Sequence, residues 1–133
     1  MEKVSQLVAR IFLGQIFLLS GLNKISGYDG TLGYMNAMGI PDALLPLAIL
    51  LEVGGSLAIM AGWQTRWISL ALAAFTVVAG IIFHSNFSDQ IQMIMFMKNI
   101  AIAGGLILLS VQGAGAYSLD NYRALSARPE NQA

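Results

Sequence analysis

Cysteine is absent from the 133-residue chain, which removes disulfides, thiolate metal sites, thioether haem attachment and thiol exchange from its chemistry. Charge is scarce as well: Asp, Glu, Lys and Arg make up 11% of the residues, against about 25% in an ordinary soluble domain. Seven basic and seven acidic residues cancel formally, so no basic surface exists for nucleic acid to grip. One histidine, His84, argues against a bis-histidine haem within one chain. A dimer, or His84 with a methionine, remains as a source of axial ligands. No metal-ligand spacing, nucleotide loop or hydrolase nucleophile motif occurs.

What fills the chain instead is apolar: 56% of residues are hydrophobic. Four runs, at about 4–22, 43–62, 67–87 and 91–111, reach the roughly 20 residues that a helix needs to cross a bilayer core. Backbone groups cannot stay unpaired in lipid, and these runs lack the alternation of barrel strands, so helices are the expected form. The fold class that follows is all-α, an integral membrane four-helix bundle. It forms one domain over 1–133 with an uncleaved first helix and a polar C-terminal tail.

The first two runs are separated by "NKISGYDGTLGYMNAMGIPDA", long enough for a short loop helix. Asp29 or Thr31 is its expected cap, Tyr34, Met35 and Met38 its apolar edge and Gly39 its stop. In the tail, Ser118 is expected to cap a helix from Leu119 to about Leu125, with the last residues disordered. Lys3, Arg66, Arg123 and Arg128, with Arg10 just inside, fall at one end of the bundle. Lys24 and the acids Asp29, Asp42 and Asp89 fall at the other. The bias predicts both termini in the cytoplasm, with Trp63 and Trp67 as interface anchors.

A charged side chain at the bilayer centre costs about 2.5–3.5 kcal/mol on insertion scales, and such residues usually face the bundle interior. Glu52 is about 14 Å deep in the second run and Lys98 about 10 Å deep in the fourth, counted from the same side at 1.5 Å per residue. Their depths suggest a shared salt bridge, with His84 shallower at the mouth of the same cavity. Arg10, Gly14, Phe17, Gly21 and Lys24 recur at spacings of four and three, a seam expected to face inward. Gly54, Ala58 and Gly62 form an expected small-residue ridge beside Glu52. Plainer readings stand next to these. Glu52 and Lys98 are then only a structural pair, His84 a polar helix end, and Arg10 and Lys24 cations snorkelling to phosphates. Met93, Met95 and Met97 are read as packing rather than as metal ligands.

The early arginine of "ARIFLGQIFLLSGLNKISGYDGT", the loop "YMNAMGIP", the glutamate of "LLEVGGSLAIMAGWQTR", then "FHSNF", "FMKNIAIAGGLILL" and "GAGAYSLD" resemble the DoxX family of small bacterial inner-membrane proteins. The likeness runs from about Val8 to Tyr122. It implies a four-helix protein of the inner membrane tied to quinone-linked oxidoreduction, a family named for a small subunit of a thiosulfate:quinone oxidoreductase. Other members are linked to redox stress and to aromatic compounds. The family's polar positions fall on Arg10, Lys24, Glu52, His84, Lys98 and Asn99. Its GPG-like motif reads Gly113-Ala114-Gly115 here, without the proline.

The function expected from these readings is a membrane subunit of a quinone-linked redox system, either an oxidoreductase or an accessory subunit of one. Quinone or hydroquinone is the expected ligand, with haem ranked below it. Lys98 or His84 would hydrogen-bond a quinone carbonyl and Glu52 would handle the proton. The bilayer, an aromatic small molecule and a redox partner protein are the expected partners, and a homo-oligomer is compatible with the small-residue ridges. The rival is a membrane scaffold or small transporter whose internal charges are structural or relay protons.

Overall fold

The computed structural model describes residues 1–127; Arg128 and the expected disordered end lie outside them. Four helices or helix pairs are long and apolar enough to cross a membrane: α1 (Glu2–Ser26), α3 and α4 (Leu44–Ile49 and Gly55–Ala61) joined through a π-helical turn, α5 (Thr65–Phe83) and α6 (Gln90–Gln112). Two short helices accompany them, α2 (Tyr28–Ala37) between the first two spans and α7 (Leu119–Ser126) in the tail. The chain is an all-α membrane bundle.

Its inside and outside are inverted relative to a soluble domain. Arg10, Glu52, Ser56, Thr65, Ser69 and Thr76 are buried, while Phe12, Leu50, Trp67, Ile91, Met97 and Val111 stand exposed. Lipid rather than water suits such a surface. The core is thin, with Phe17, Ile59, Leu72, Ala73, Ala103 and Leu106 meeting between the spans. The broadest interface joins α5 to α6, and α1 packs on the second span. On that span the inward face carries Glu52, Gly55, Ser56 and Ile59, whereas Gly54 of the expected small-residue ridge is exposed. A methyl on Gly55 would already stand 3.4 Å from Leu72, which shows where close packing is used.

α1 turns Arg10, Gly14, Phe17 and Gly21 inward, as the seam predicts. α2 starts directly after Gly27, and no side chain caps it. Asp29 lies inside its first turn, and Thr31 Oγ1 donates back to the Gly27 carbonyl at 3.0 Å. Of the expected apolar edge only Met35 is buried, and Tyr34 instead stacks on Phe83 with ring centroids 5.2 Å apart. This contact holds α2 over the ends of the spans.

The other end of the bundle is tied by the tail. Ser118 caps α7, its Oγ accepting from Asn121 N at 3.1 Å. Asp120 then caps a different helix, accepting from the amides of Gln64 at 2.8 Å and Thr65 at 3.0 Å at the start of α5. Gly62 turns here with φ +75°, and an added Cβ would overlap Ser118 and stand 2.5 Å from Arg10 Nη1. Burial works to raise the Asp120 pKa. The hydrogen bonds from Thr65 and Gln64, with the nearby Arg123 charge, outweigh it and hold the carboxyl below its ordinary value. A depressed folded-state pKa stabilises docking above the unfolded value, and the gain fades as pH falls through the folded one. Asp120→Ala is therefore expected to weaken docking of α7 at neutral pH by about 1 kcal/mol. Limited proteolysis of the tail should show the variant and the wild type converging in acid.

Candidate functional site

The site begins with a backbone irregularity. Leu50–Gly54 form a π-helical turn in the middle of the second span, and single π turns inside helices are frequent at functional sites because the extra residue re-aims a side chain. Here Glu52 is the residue in the turn, and it is 2% exposed. α1 approaches it through Gly21, where a Cβ would fall 2.6 Å from Val53 Cγ2 and 3.2 Å from Glu52 Cβ. That close approach brings Lys24, one turn on, over the carboxylate. Lys24 Nζ donates to both Glu52 oxygens, at 2.9 and 3.0 Å, and to Ser20 Oγ at 2.8 Å. Side chains on a helix lean toward its N-terminus, so this lysine near the end of α1 reaches down into the bundle to Ser20 and Glu52 and does not snorkel outward.

The ion pair forms part of the wall of a cavity of about 570 Å³ bounded by α1, α2, the second span and α5, with Asn99 and Ile102 reaching it from α6. Most of the lining is aliphatic or aromatic. Besides Lys24 and Glu52 the polar groups are Ser20, Thr31, Thr76, His84 and Asn99, with Tyr34 under α2. Asn99 Nδ2 donates to the Thr76 carbonyl at 3.1 Å, in space left by Gly80, whose Cβ would crowd it at 3.1 Å. His84 ends α5 and is half-buried, and its Nδ1 is buried with no hydrogen-bond partner. A buried polar atom without a partner is a standing cost, and a bound molecule or water would relieve it.

Four of the six expected positions thus meet at one cavity: Lys24, Glu52, His84 and Asn99. Lys98 does not. It is exposed, outside the cavity, and the partner of Glu52 is Lys24. The reason is azimuth: Asn99, Ile102, Ala103 and Leu106 set the inward face of α6, and Lys98 stands one residue, about 100°, away from Asn99. Lys98→Met is accordingly expected to leave thermal stability and ligand binding within about 0.5 kcal/mol of wild type, as measured by unfolding in detergent.

Arg10 also lies away from the cavity, at the tail end, and is fully buried. Its guanidinium donates to the carbonyls of Ile59 at 3.2 Å and Met60 at 3.0 Å, and to that of Tyr117. The Ile59 carbonyl also accepts from Gly62 N at 3.0 Å, so the guanidinium reinforces the closing turn of α4 and joins it to the tail. Its place is structural. Sequence reasoning missed Ser20, Thr31 and Thr76, although Ser20 stands four residues before Lys24, the spacing at which helix neighbours meet.

The sequence profile of DoxX matches residues 5–85 of the chain. "Inner membrane protein YqjF" of Escherichia coli is 51% identical over 120 residues, covering 90% of this chain and 92% of that protein. "Inner membrane protein YphA" of the same organism is 36% identical, with 86% of each chain covered. "Putative oxidoreductase CatD" of Bacillus subtilis is 25% identical over 80% of this chain and 84% of its own length. No solved structure gives a significant match.

Proposed function

The chain belongs to the DoxX family, and on that footing we propose that it is an inner-membrane protein that binds quinone or hydroquinone between its helices as the membrane subunit of a redox system. The observation that carries the reading is the cavity of about 570 Å³, apolar over most of its wall, with the Lys24 and Glu52 pair on one side. Such sites are mostly apolar and orient their ligand with a few placed polar groups. A quinone has that complementary form, a flat apolar ring with two carbonyl acceptors. The names of YqjF and YphA support the location and that of CatD the reaction class.

Lys24 is the donor within reach: its three N–H groups are engaged by Ser20 Oγ and the two Glu52 oxygens, and its flexible stem lets it release one of them to a ligand. It would hydrogen-bond a ligand carbonyl and favour negative charge there as electrons arrive. Glu52 is the proton acceptor or donor beside it. His84, with its unpartnered Nδ1, is the second hydrogen-bonding group, and Asn99 fixes the α6 side. Full reduction of a quinone consumes two electrons and two protons. The residues here supply proton-transfer groups, and a redox partner protein supplies the electrons. Lys3, Arg10, Arg66 and Arg123 at the tail end support an orientation with both termini in the cytoplasm and the cavity in the outer half.

The test is to purify the protein in mild detergent, record its visible spectrum, and extract and weigh its small molecules, beside a Lys24→Met, Glu52→Gln double variant. Quinone at near one per chain in the wild type, falling at least tenfold in a folded double variant, is the expected result. Protein empty of quinone that also fails to bind added quinone would transfer the assignment to a scaffold or transporter with structural charges.

A further inference from the structure

The Lys24 and Glu52 pair is not equally sealed on its two sides. The Lys24 side chain is 25% exposed and that of Glu52 is 3% exposed. Lys24, and not Glu52, also lines a second cavity, of about 400 Å³ and open to the exterior. It is lined by Ile16, Leu19, Ser20, Asn23, Lys24 and Thr31, and it shares Ile16, Ser20, Lys24 and Thr31 with the larger cavity. Lys24 and Ser20 are thus a partition between the two. On one side stands the buried carboxylate, and on the other a recess with polar groups at its rim.

The depth of the recess fits water. Ser20, Asn23 and Lys24 lie in the last two turns of α1, which ends at Ser26, so at 1.5 Å per residue Ser20 is about 9 Å below the helix end and Asn23 about 5 Å. α1 has 25 residues and at that rise is about 37 Å long, longer than the roughly 30 Å hydrocarbon core, so its last turn reaches the headgroup level. Asn23 and Thr31 stand at the rim, and Ser20 and Lys24 lie below them. An amide, two hydroxyls and an ammonium give a water chain the two to four polar partners that each ordered water needs.

We propose that this second cavity is an aqueous vestibule through which the Lys24 and Glu52 pair exchanges protons with the water phase on the α2 side, separately from the route by which a ligand enters the larger cavity. Water access stands on the geometry alone, while its use for ligand protonation rests on the quinone reading. A proton passing from Lys24 to Glu52 leaves a neutral amine and a neutral carboxyl; a hydronium proton relayed through vestibule water recharges the amine, and Glu52 gives its proton to the reduced ligand, which restores the ion pair. The other titratable groups facing the pair are His84 and Tyr34, which line the larger cavity and not the vestibule. The vestibule side is therefore served by Lys24 alone.

The absence of cysteine makes the test clean. Ser20→Cys, Leu19→Cys, which lines the second cavity and not the larger one, and Leu50→Cys are made singly and reconstituted in vesicles, then treated with a negatively charged, membrane-impermeant methanethiosulfonate. Leu50 is 69% exposed on the outer surface and six residues from the start of α3, about 9 Å along the helix and so matched in depth to Ser20. The expected result is labelling of Ser20→Cys and Leu19→Cys at least tenfold faster than Leu50→Cys. Adding Thr31→Trp to Ser20→Cys should slow it at least tenfold by filling the rim. Equal, slow labelling of Ser20→Cys and Leu50→Cys, in protein whose thiols all react after denaturation, would overturn the vestibule and identify the recess as lipid-filled. Quinone plays no part in this readout, so fast labelling with failed quinone binding would sink the ligand reading and leave the vestibule standing.

Discussion

Lys24→Met is expected to destabilise the bundle by about 3 kcal/mol, the lower end of the range for breaking a buried pair by removing one partner. The lower end applies because the Lys24 side chain is a quarter exposed, so the pair is only partly desolvated. Glu52 would be left 2% exposed with its charge partner gone, and no other ion pair occurs among the described residues. Unfolding of the purified protein in detergent measures the loss. Adding Glu52→Leu should recover most of it, because two apolar side chains of similar size replace a desolvated pair at little cost. A Lys24→Met variant as stable as wild type would show that the pair contributes nothing to the fold. A double variant that regains stability yet loses quinone would separate the structural role from the ligand role.

Arg10→Met should cost at least as much. The guanidinium donates to three carbonyls, those of Ile59, Met60 and Tyr117, the first of which also accepts from Gly62 N, and hydrogen bonds to charged groups contribute about 1.5–3 kcal/mol each without adding fully. A loss of about 3 kcal/mol or more is expected, together with release of the tail. Arg10→Lys should rescue little, since a compact ammonium does not reproduce the planar fork that spans separate acceptors. Thermal unfolding and proteolysis between Gly113 and Ser118 report the two effects. If Arg10→Met kept the tail protected, Asp120 alone would be the tether.

The four spans were legible because lipid imposes one rule on every residue of a run, and runs of about 20 apolar residues leave no competing reading. Local chemistry was legible too where it is strictly near in sequence, as with Ser118 capping α7. Position around a helix was less so. Lys98 and Glu52 have matching depths, but depth says nothing of azimuth, and a rotation of 100° per residue places Asn99 at the cavity and Lys98 outside. The π turn at Leu50–Gly54 has no sequence signature here, yet it aims Glu52 and so decides which lysine meets it. Lys24 stood on the predicted seam with Gly14, Phe17 and Gly21. The balance between an outward, snorkelling lysine and an inward one depended on Gly21 letting α1 and the second span touch.

The bond between Arg10 and the Tyr117 carbonyl joins residues 107 positions apart, and this separation has a consequence for biogenesis. At roughly 5–20 residues per second, about 5–20 s pass between translation of Arg10 and translation of Tyr117. Through that interval the guanidinium has travelled into the membrane with the first helix while one of its acceptors does not yet exist. It must be held by headgroups and water at the membrane surface nearest the N-terminus. The first helix therefore settles into its final depth last, when the end of the chain arrives, and truncation of the tail would trap the newborn protein with its opening helix still undocked.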